Sequence, residues 1–120
     1  MADKTGQDLI DEAKRQIEEV SPEQVREMQA RDEPVVYLDV REPNEWALGR
    51  LPGAVHLPRG NLESKVEGMI DRAQRVVIYC ARGNRSALAA LTLKQMGYQN
   101  VASMARGIQG WADVNGEIED

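Results

Sequence analysis

The chemistry in this sequence concentrates at Cys80, the only cysteine of the chain. It follows the apolar run Val76-Val77-Ile78-Tyr79 and opens the six-residue segment Cys80-Ala81-Arg82-Gly83-Asn84-Arg85. From Ser86 to Met96 the pattern is helical, with Leu88, Ala89, Leu91, Thr92 and Leu93 available for packing. The start of a helix offers N–H groups without intrahelical partners and the positive end of a dipole. Gly83 lets the loop turn back, so that successive N–H groups converge into an anion nest. Arg82 and Arg85 add positive charge. Helix N-termini and nearby cations favour a cysteine's thiolate form, so this setting is expected to make Cys80 a nucleophile. A lone cysteine in other surroundings reads as a small buried hydrophobe. Between an apolar strand and a basic, glycine-containing loop it reads as reactive. Ser86 stands where the helix begins, and its chemistry suits an N-cap better than catalysis.

Other chemistry-bearing residues are few. His56 is the only histidine, and a nucleophile already present as thiolate needs no general base. One cysteine and one histidine make no zinc cluster, and neither a metal nor a redox cofactor is called for. An internal disulfide is impossible with one cysteine, which points to the reducing cytoplasm. No stretch is apolar enough to span a bilayer, and the polar N-terminus lacks a secretory signal's apolar core.

Helices and strands must place this loop. Leu9, Ile10, Ala13, Ile17 and Val20 follow helical spacing over residues 8 to 20. Ser21-Pro22-Glu23-Gln24 reads as an N-cap, a proline at the first helical position and a capping-box glutamine, starting a helix that runs to about Arg31. Val35 to Val40 predicts a buried strand, Arg41 to Trp46 a turn or short helix, and Ala54 to Leu57 a short strand. Asn61 to Arg72 predicts a helix with Leu62, Val66, Met69, Ile70 and Ala73 toward the core. Val76 to Tyr79 is the clearest central strand, Gly97 ends the helix after it, and Val101 to Met104 is a further strand. Ile108 to Val114 is a last short helix, followed by a turn at Asn115-Gly116. Strands alternating with helices predict a three-layer α/β domain with a central, largely parallel sheet flanked by helices. Cys80 then lies at a strand's C-terminal end, where such folds place their sites. The first helix falls outside the alternation. Residues 1–20 are read as an N-terminal amphipathic helical extension, a cap or a docking surface, and 21–120 as the domain.

The net charge is −5, but its distribution is uneven. Residues 1 to 33 hold ten acids and five bases, and the remainder ten of each. From Arg72 through Ala112 there are six bases and no acid. Positive charge around the cysteine of an acidic protein suits a small anion; nucleic acid asks for a broader basic surface.

In order and spacing, several fragments together resemble the rhodanese family from about Ser21 to Trp111. They are Leu38-Asp39-Val40-Arg41-Glu42-Pro43, Glu45-Trp46, Gly49-Arg50-Leu51-Pro52-Gly53-Ala54, Val76 to Cys80, the loop through Arg85 with Ser86, and Gly107 with Trp111. The resemblance implies a rhodanese-like domain, of the single-domain thiosulfate sulfurtransferase type, with Cys80 as nucleophile. Ala81, Arg82, Gly83, Asn84, Arg85 and Ser86 would form the cradle for transferred sulfur or a bound oxyanion. Asp39 and Arg41 match a motif whose role is structural support, and a buried carboxylate must be paired. Trp46 and Trp111 read as packing residues. One departure stands out: Arg106-Gly107 occupies the place where the family often has paired glycines.

The implied reaction is a ping-pong transfer through a Cys80 persulfide. A small anionic donor such as thiosulfate would supply sulfane sulfur; cyanide, a thiol or a sulfur-acceptor protein would take it. Neither nucleic acid nor a membrane is expected as partner. The alternatives are a protein-partnered sulfur carrier with little thiosulfate turnover, a phosphatase or arsenate-reductase relative, and an inactive binding module. The phosphatase relatives resemble a longer loop than the six residues from Cys80 to Arg85.

Overall fold

The computed structural model describes residues 3–120. The elements in chain order are α1 (Gly6–Gln16), β1 (Glu18–Val20), α2 (Pro22–Ala30), β2 (Val35–Asp39), α3 (Pro43–Trp46), β3 (Val55–His56), α4 (Leu62–Lys65), β4 (Arg75–Tyr79), α5 (Asn84–Gln95), β5 (Val101–Met104) and α6 (Gly107–Asp113). The five strands form one sheet in the order β1-β5-β4-β2-β3, with every strand pairing parallel. The three-layer α/β expectation is met, because the pleat sends alternate residues of the central strands to two different helical layers. Val76, Ile78 and Cys80 join Leu38, Leu62, Val66 and Leu93 on the α4–α5 side. Val77 and Tyr79 join Tyr37, Val25, Met104 and Trp111 on the α2–α6 side.

The reciprocal cap read from Ser21 and Gln24 is formed. The Gln24 N–H donates to Ser21 Oγ at 3.1 Å, and the Ser21 N–H to Gln24 Oε1 at 2.7 Å. Three local expectations fail. The first helix stops at Gln16, and Glu18–Val20 form the edge strand β1 beside β5. Helical spacing continues through Val20, yet the sheet edge gives these backbone groups ladder partners. Residues 61 to 72 do not form one helix. A single α-turn, Leu62–Lys65, lies between two 3-10 turns, Arg59–Asn61 and Val66–Gly68. Leu62, Val66 and Ile70 are still buried, but Met69 is 46% exposed and Ala73 is exposed. The helix after Cys80 begins at Asn84, two residues early. Its N-cap is Gly83, in the left-handed region at φ 99°, so Ser86 is not the cap.

The loop after β4 is held from behind by the start of α6. The Ile108 N–H donates to the Cys80 carbonyl at 2.9 Å and the Gln109 N–H to the Ala81 carbonyl at 3.2 Å. Gly107 makes this approach possible: its φ is 55°, and a Cβ there would collide with the Cys80 carbonyl oxygen and lie 2.6 Å from the Ala81 carbonyl. Gly107→Ala is therefore expected to cost at least about 2 kcal/mol, from left-handed backbone strain plus overpacking. Urea unfolding midpoints of the two proteins check this, and an unchanged midpoint would contradict the close approach.

Candidate active site

Cys80 leaves the end of β4 with its side chain on the α5 side of the sheet and is only 1% exposed. The Gly83 N–H donates to its Sγ at 3.1 Å and the Ser86 N–H at 3.4 Å. Ser86 Oγ is also 3.4 Å from Sγ, and it lies 2.8 Å from Ser103 Oγ on β5. Asn84 and Arg85 are the first residues of α5, and their N–H groups have no carbonyl one turn earlier in the helix. Ala81 is partly buried and Arg82 exposed at the bend between Cys80 and Gly83. Within the segment from Ala81 to Ser86, Gly83 and Ser86 are the residues whose polar groups reach the sulfur. Gly83 has two duties: besides its positive φ, a Cβ there would sit 3.1 Å from the Arg106 nitrogen.

The charges around the loop are more committed than the sequence implies. Arg85 forms a two-pronged pair with Glu45 of α3, at 2.7 and 3.0 Å. Of the other bases between Arg72 and Ala112, Arg72 pairs with Glu67, Arg75 with Glu18 and Arg106 with Glu23. Lys94 Nζ donates to the Gln16 carbonyl at the end of α1, 2.7 Å away. The positive run is largely cancelled by carboxylates from elsewhere in the chain. Arg82 and Lys94 are the bases of that run with no ion pair among the described residues, and of the two Arg82 is the one on the loop. The glycine-to-arginine departure at Arg106 places a side-chain-bearing residue at φ 65° and directs its guanidinium to Glu23 at 3.1 Å.

Asp39 and Arg41 form a buried pair, with Arg41 Nη2 at 2.7 Å from Asp39 Oδ2. The Arg41 backbone N–H also donates to Asp39 Oδ1 at 2.9 Å, and Nη2 reaches the Gly49 carbonyl at 2.6 Å. Burial alone would lower the Arg41 pKa, but hydrogen bonds and charge from Asp39 outweigh it and raise it. Burial, and then the charge of Asp39, push the Tyr79 phenol up; its hydroxyl accepts the Leu51 N–H at 3.1 Å. This network fixes the 49–51 loop beside the site. His56 lies outside the sulfur cradle: its Nε2 donates to the Arg41 carbonyl at 2.8 Å, and its ring stacks on Trp46 with centroids 4.7 Å apart. Trp111 is buried, with Nε1 donating to the Glu117 carbonyl at 2.8 Å. Among the described residues no group of three His, Cys, Asp or Glu side chains could hold a metal ion.

Two residues of the site carry roles that the sequence reading did not assign. Glu45 holds Arg85 across 40 positions of sequence, a pairing no local pattern announces. Ser103 carries a weak signal, a hydroxyl inside the otherwise apolar Val101-Ala102-Ser103-Met104 strand.

Hydrogen bonds from Arg85, against the opposing effect of burial, hold the Glu45 carboxyl at about 2, below its ordinary 4.5. A carboxylate whose folded value is depressed contributes stability that is complete above the ordinary value and lost as pH falls through the folded one. Both side chains are partly exposed, at 27% and 37%, so screening limits the contribution. Glu45→Gln is expected to cost about 1 kcal/mol at neutral pH. The gap between wild type and variant should close as pH falls from 4.5 toward about 2. Urea midpoints measured across that window test it, and a gap independent of pH would refute the paired assignment.

The rhodanese-like domain family matches residues 21–114. The candidate sulfur carrier protein YrkF of Bacillus subtilis is 34% identical over 95 residues, which cover 79% of this chain and 51% of that protein. This chain therefore aligns with about half the length of that relative. A sulfurtransferase of Allochromatium vinosum is 35% identical over 96 residues, 80% of this chain and 89% of that one. Among solved structures, a Rhodopseudomonas palustris protein of unknown function, described as a candidate tyrosine phosphatase, superposes with a TM-score of 0.88 and 32% identity, over 99% of this chain and 97% of that one. With its parallel sheet, its loop at the end of β4 and a family match running from the cap of α2 to the end of α6, the chain belongs to the rhodanese family, as a single rhodanese-like domain.

Proposed function

We propose that this protein is a sulfurtransferase that carries sulfane sulfur as a Cys80 persulfide, receiving it from one protein and passing it to another. The observation that carries this reading is the hydrogen bonding at sulfur: N–H groups of Gly83 and Ser86 aim at Cys80 Sγ inside a loop built for an anion. The relatives named as a sulfur carrier and a sulfurtransferase support it. In the first step the Cys80 thiolate attacks the terminal sulfur of a donor persulfide. A new S–S bond forms to Cys80, the donor's S–S bond breaks, and its electron pair leaves as the donor thiolate. In the second step an acceptor thiolate attacks the terminal sulfur and releases the Cys80 thiolate. Backbone N–H groups of the Cys80–Ser86 loop stabilise charge on the sulfurs throughout. Asp39 and Arg41 support the neighbouring loop. Neither step uses a metal or redox cofactor, and a reactive unpaired thiol suits a reducing compartment such as the cytoplasm. Residues 1–20 are read as an extension of the 21–120 domain that is joined to it through the pairing of Glu18–Val20 with β5 and the packing of α1 on α5, leaving the outer face of α1 for a partner.

Thiosulfate is the second reading, favoured by the exposed Arg82 at the loop. It is the weaker of the two, because Glu45 already neutralises Arg85 and a dianionic donor gains less from the pair than from a free guanidinium. An aryl phosphate is a third substrate class, raised by the description of the R. palustris protein; turnover of one would favour it over sulfur.

Intact mass of the reduced protein tests the assignment after brief exposure to a persulfidated protein donor or to thiosulfate, beside Cys80→Ser. The expected result is a gain of one sulfur atom in the wild type, reversed by cyanide, with faster loading from the protein donor. Loading of Cys80→Ser, or none of the wild type from either donor, would overturn it. Replacing Arg82 with Ala should slow loading from thiosulfate by several-fold, about 1 kcal/mol for an exposed charge, and leave the protein donor nearly unaffected. Equal losses with both donors would remove Arg82 from donor recognition.

A further inference from the structure

All four residues of β5 are buried, and Ser103 among them is 0% exposed. A hydroxyl buried without a partner costs about 1–3 kcal/mol. Ser103 Oγ bonds to Ser86 Oγ, 2.8 Å away, and Ser86 Oγ is 3.4 Å from Cys80 Sγ. A chain of polar atoms therefore runs from β5 through the first turn of α5 to the sulfur.

The protons of this chain can be counted. A serine hydroxyl has one proton to donate and can accept as well. With sulfur protonated, S–H donates to Ser86 Oγ and Ser86 donates to Ser103 Oγ. The Ser103 proton is then left without an acceptor among the described residues. With sulfur anionic, Ser103 donates to Ser86 Oγ and Ser86 donates to Sγ, so both hydroxyl protons are used. No proton leaves either serine between the two states; only the O–H directions reverse, and the thiol proton departs to solvent. The burial of Ser103 thus biases the pair toward the arrangement that directs a donor at sulfur.

The geometry points to Ser103 as a positioning residue, one that turns the Ser86 hydroxyl toward Cys80 Sγ and so favours the anionic sulfur. It acts through Ser86 and is not itself in contact with sulfur. This rests on Cys80 being the reactive group, as in the preceding section.

The test follows the ultraviolet absorbance of the thiolate against pH in reduced wild type, Ser103→Ala, Ser86→Ala and the double variant, with urea midpoints as a check on folding. Ser103→Ala is expected to move the titration midpoint upward by about half a pH unit, and Ser86→Ala to move it further. In the Ser86→Ala background the Ser103 change should add nothing. An unchanged midpoint in Ser103→Ala, or an equal shift in both backgrounds, would overturn the proposal, since the serine would then act on packing alone. The readout involves no sulfur donor, so failure of sulfur loading and failure of this relay are separate results.

Discussion

Two N–H groups at the start of α6 hold the carbonyls of Cys80 and Ala81, and the orientation of the loop depends on them. A peptide unit is planar and trans, so its carbonyl and its N–H point in opposite directions. With both carbonyls drawn toward α6, the N–H groups of Ala81 and Arg82 face the other way, into the loop. Gly83 continues the turn at positive φ and gives its N–H to sulfur. Gly107 is needed because any side chain there would push α6 off these carbonyls. The cradle at the end of β4 is thus shaped by a helix that follows β5, which explains why residues more than twenty positions downstream of the cysteine matter to it.

Two guanidinium–carboxylate pairs complete the frame at different depths. Asp39–Arg41 is buried and mainly fixes geometry: removing one partner would strand a charge, while the pair itself is weak evidence for stability. Glu45–Arg85 is partly exposed and ties α3 to the first turn of α5. It also sets the electrostatics, since Arg85 faces the site already paired. The loop therefore relies on backbone dipoles more than on net side-chain charge, an arrangement suited to sulfur that is singly charged or neutral.

The strands, the capped α2 and the loop at Cys80 are legible because each is written in local pattern. Val35 to Leu38 and Val76 to Tyr79 are apolar and rich in β-branched residues, Ser21 to Gln24 spell a reciprocal cap, and Gly83 stands where the chain must turn. Most of the misreadings share a cause, which is that tertiary partners decided what periodicity could not. Glu18 to Val20 continue a helical rhythm but find β5. The basic run around Cys80 is continuous in sequence and dispersed in space, because Glu18, Glu23, Glu45 and Glu67 come to meet it. Ser86 looked like a cap by type, yet Gly83 took the cap because its backbone could adopt the left-handed region.

The near-complete burial of Cys80 bears on the order of events during turnover. Cavities of about 710 Å³ lie elsewhere, between Arg26 and Trp111 and between Gln16 and Tyr98, whereas the cleft beside Arg41, Leu48 and Ile108 holds about 260 Å³. In the proposed transfer, an acceptor thiol would meet a sulfur this buried only after a local opening of the loop, and such openings have their own free energy. Under that proposal, the burial of Cys80 would rank acceptors by how far the chain must open before their atoms could meet the sulfur.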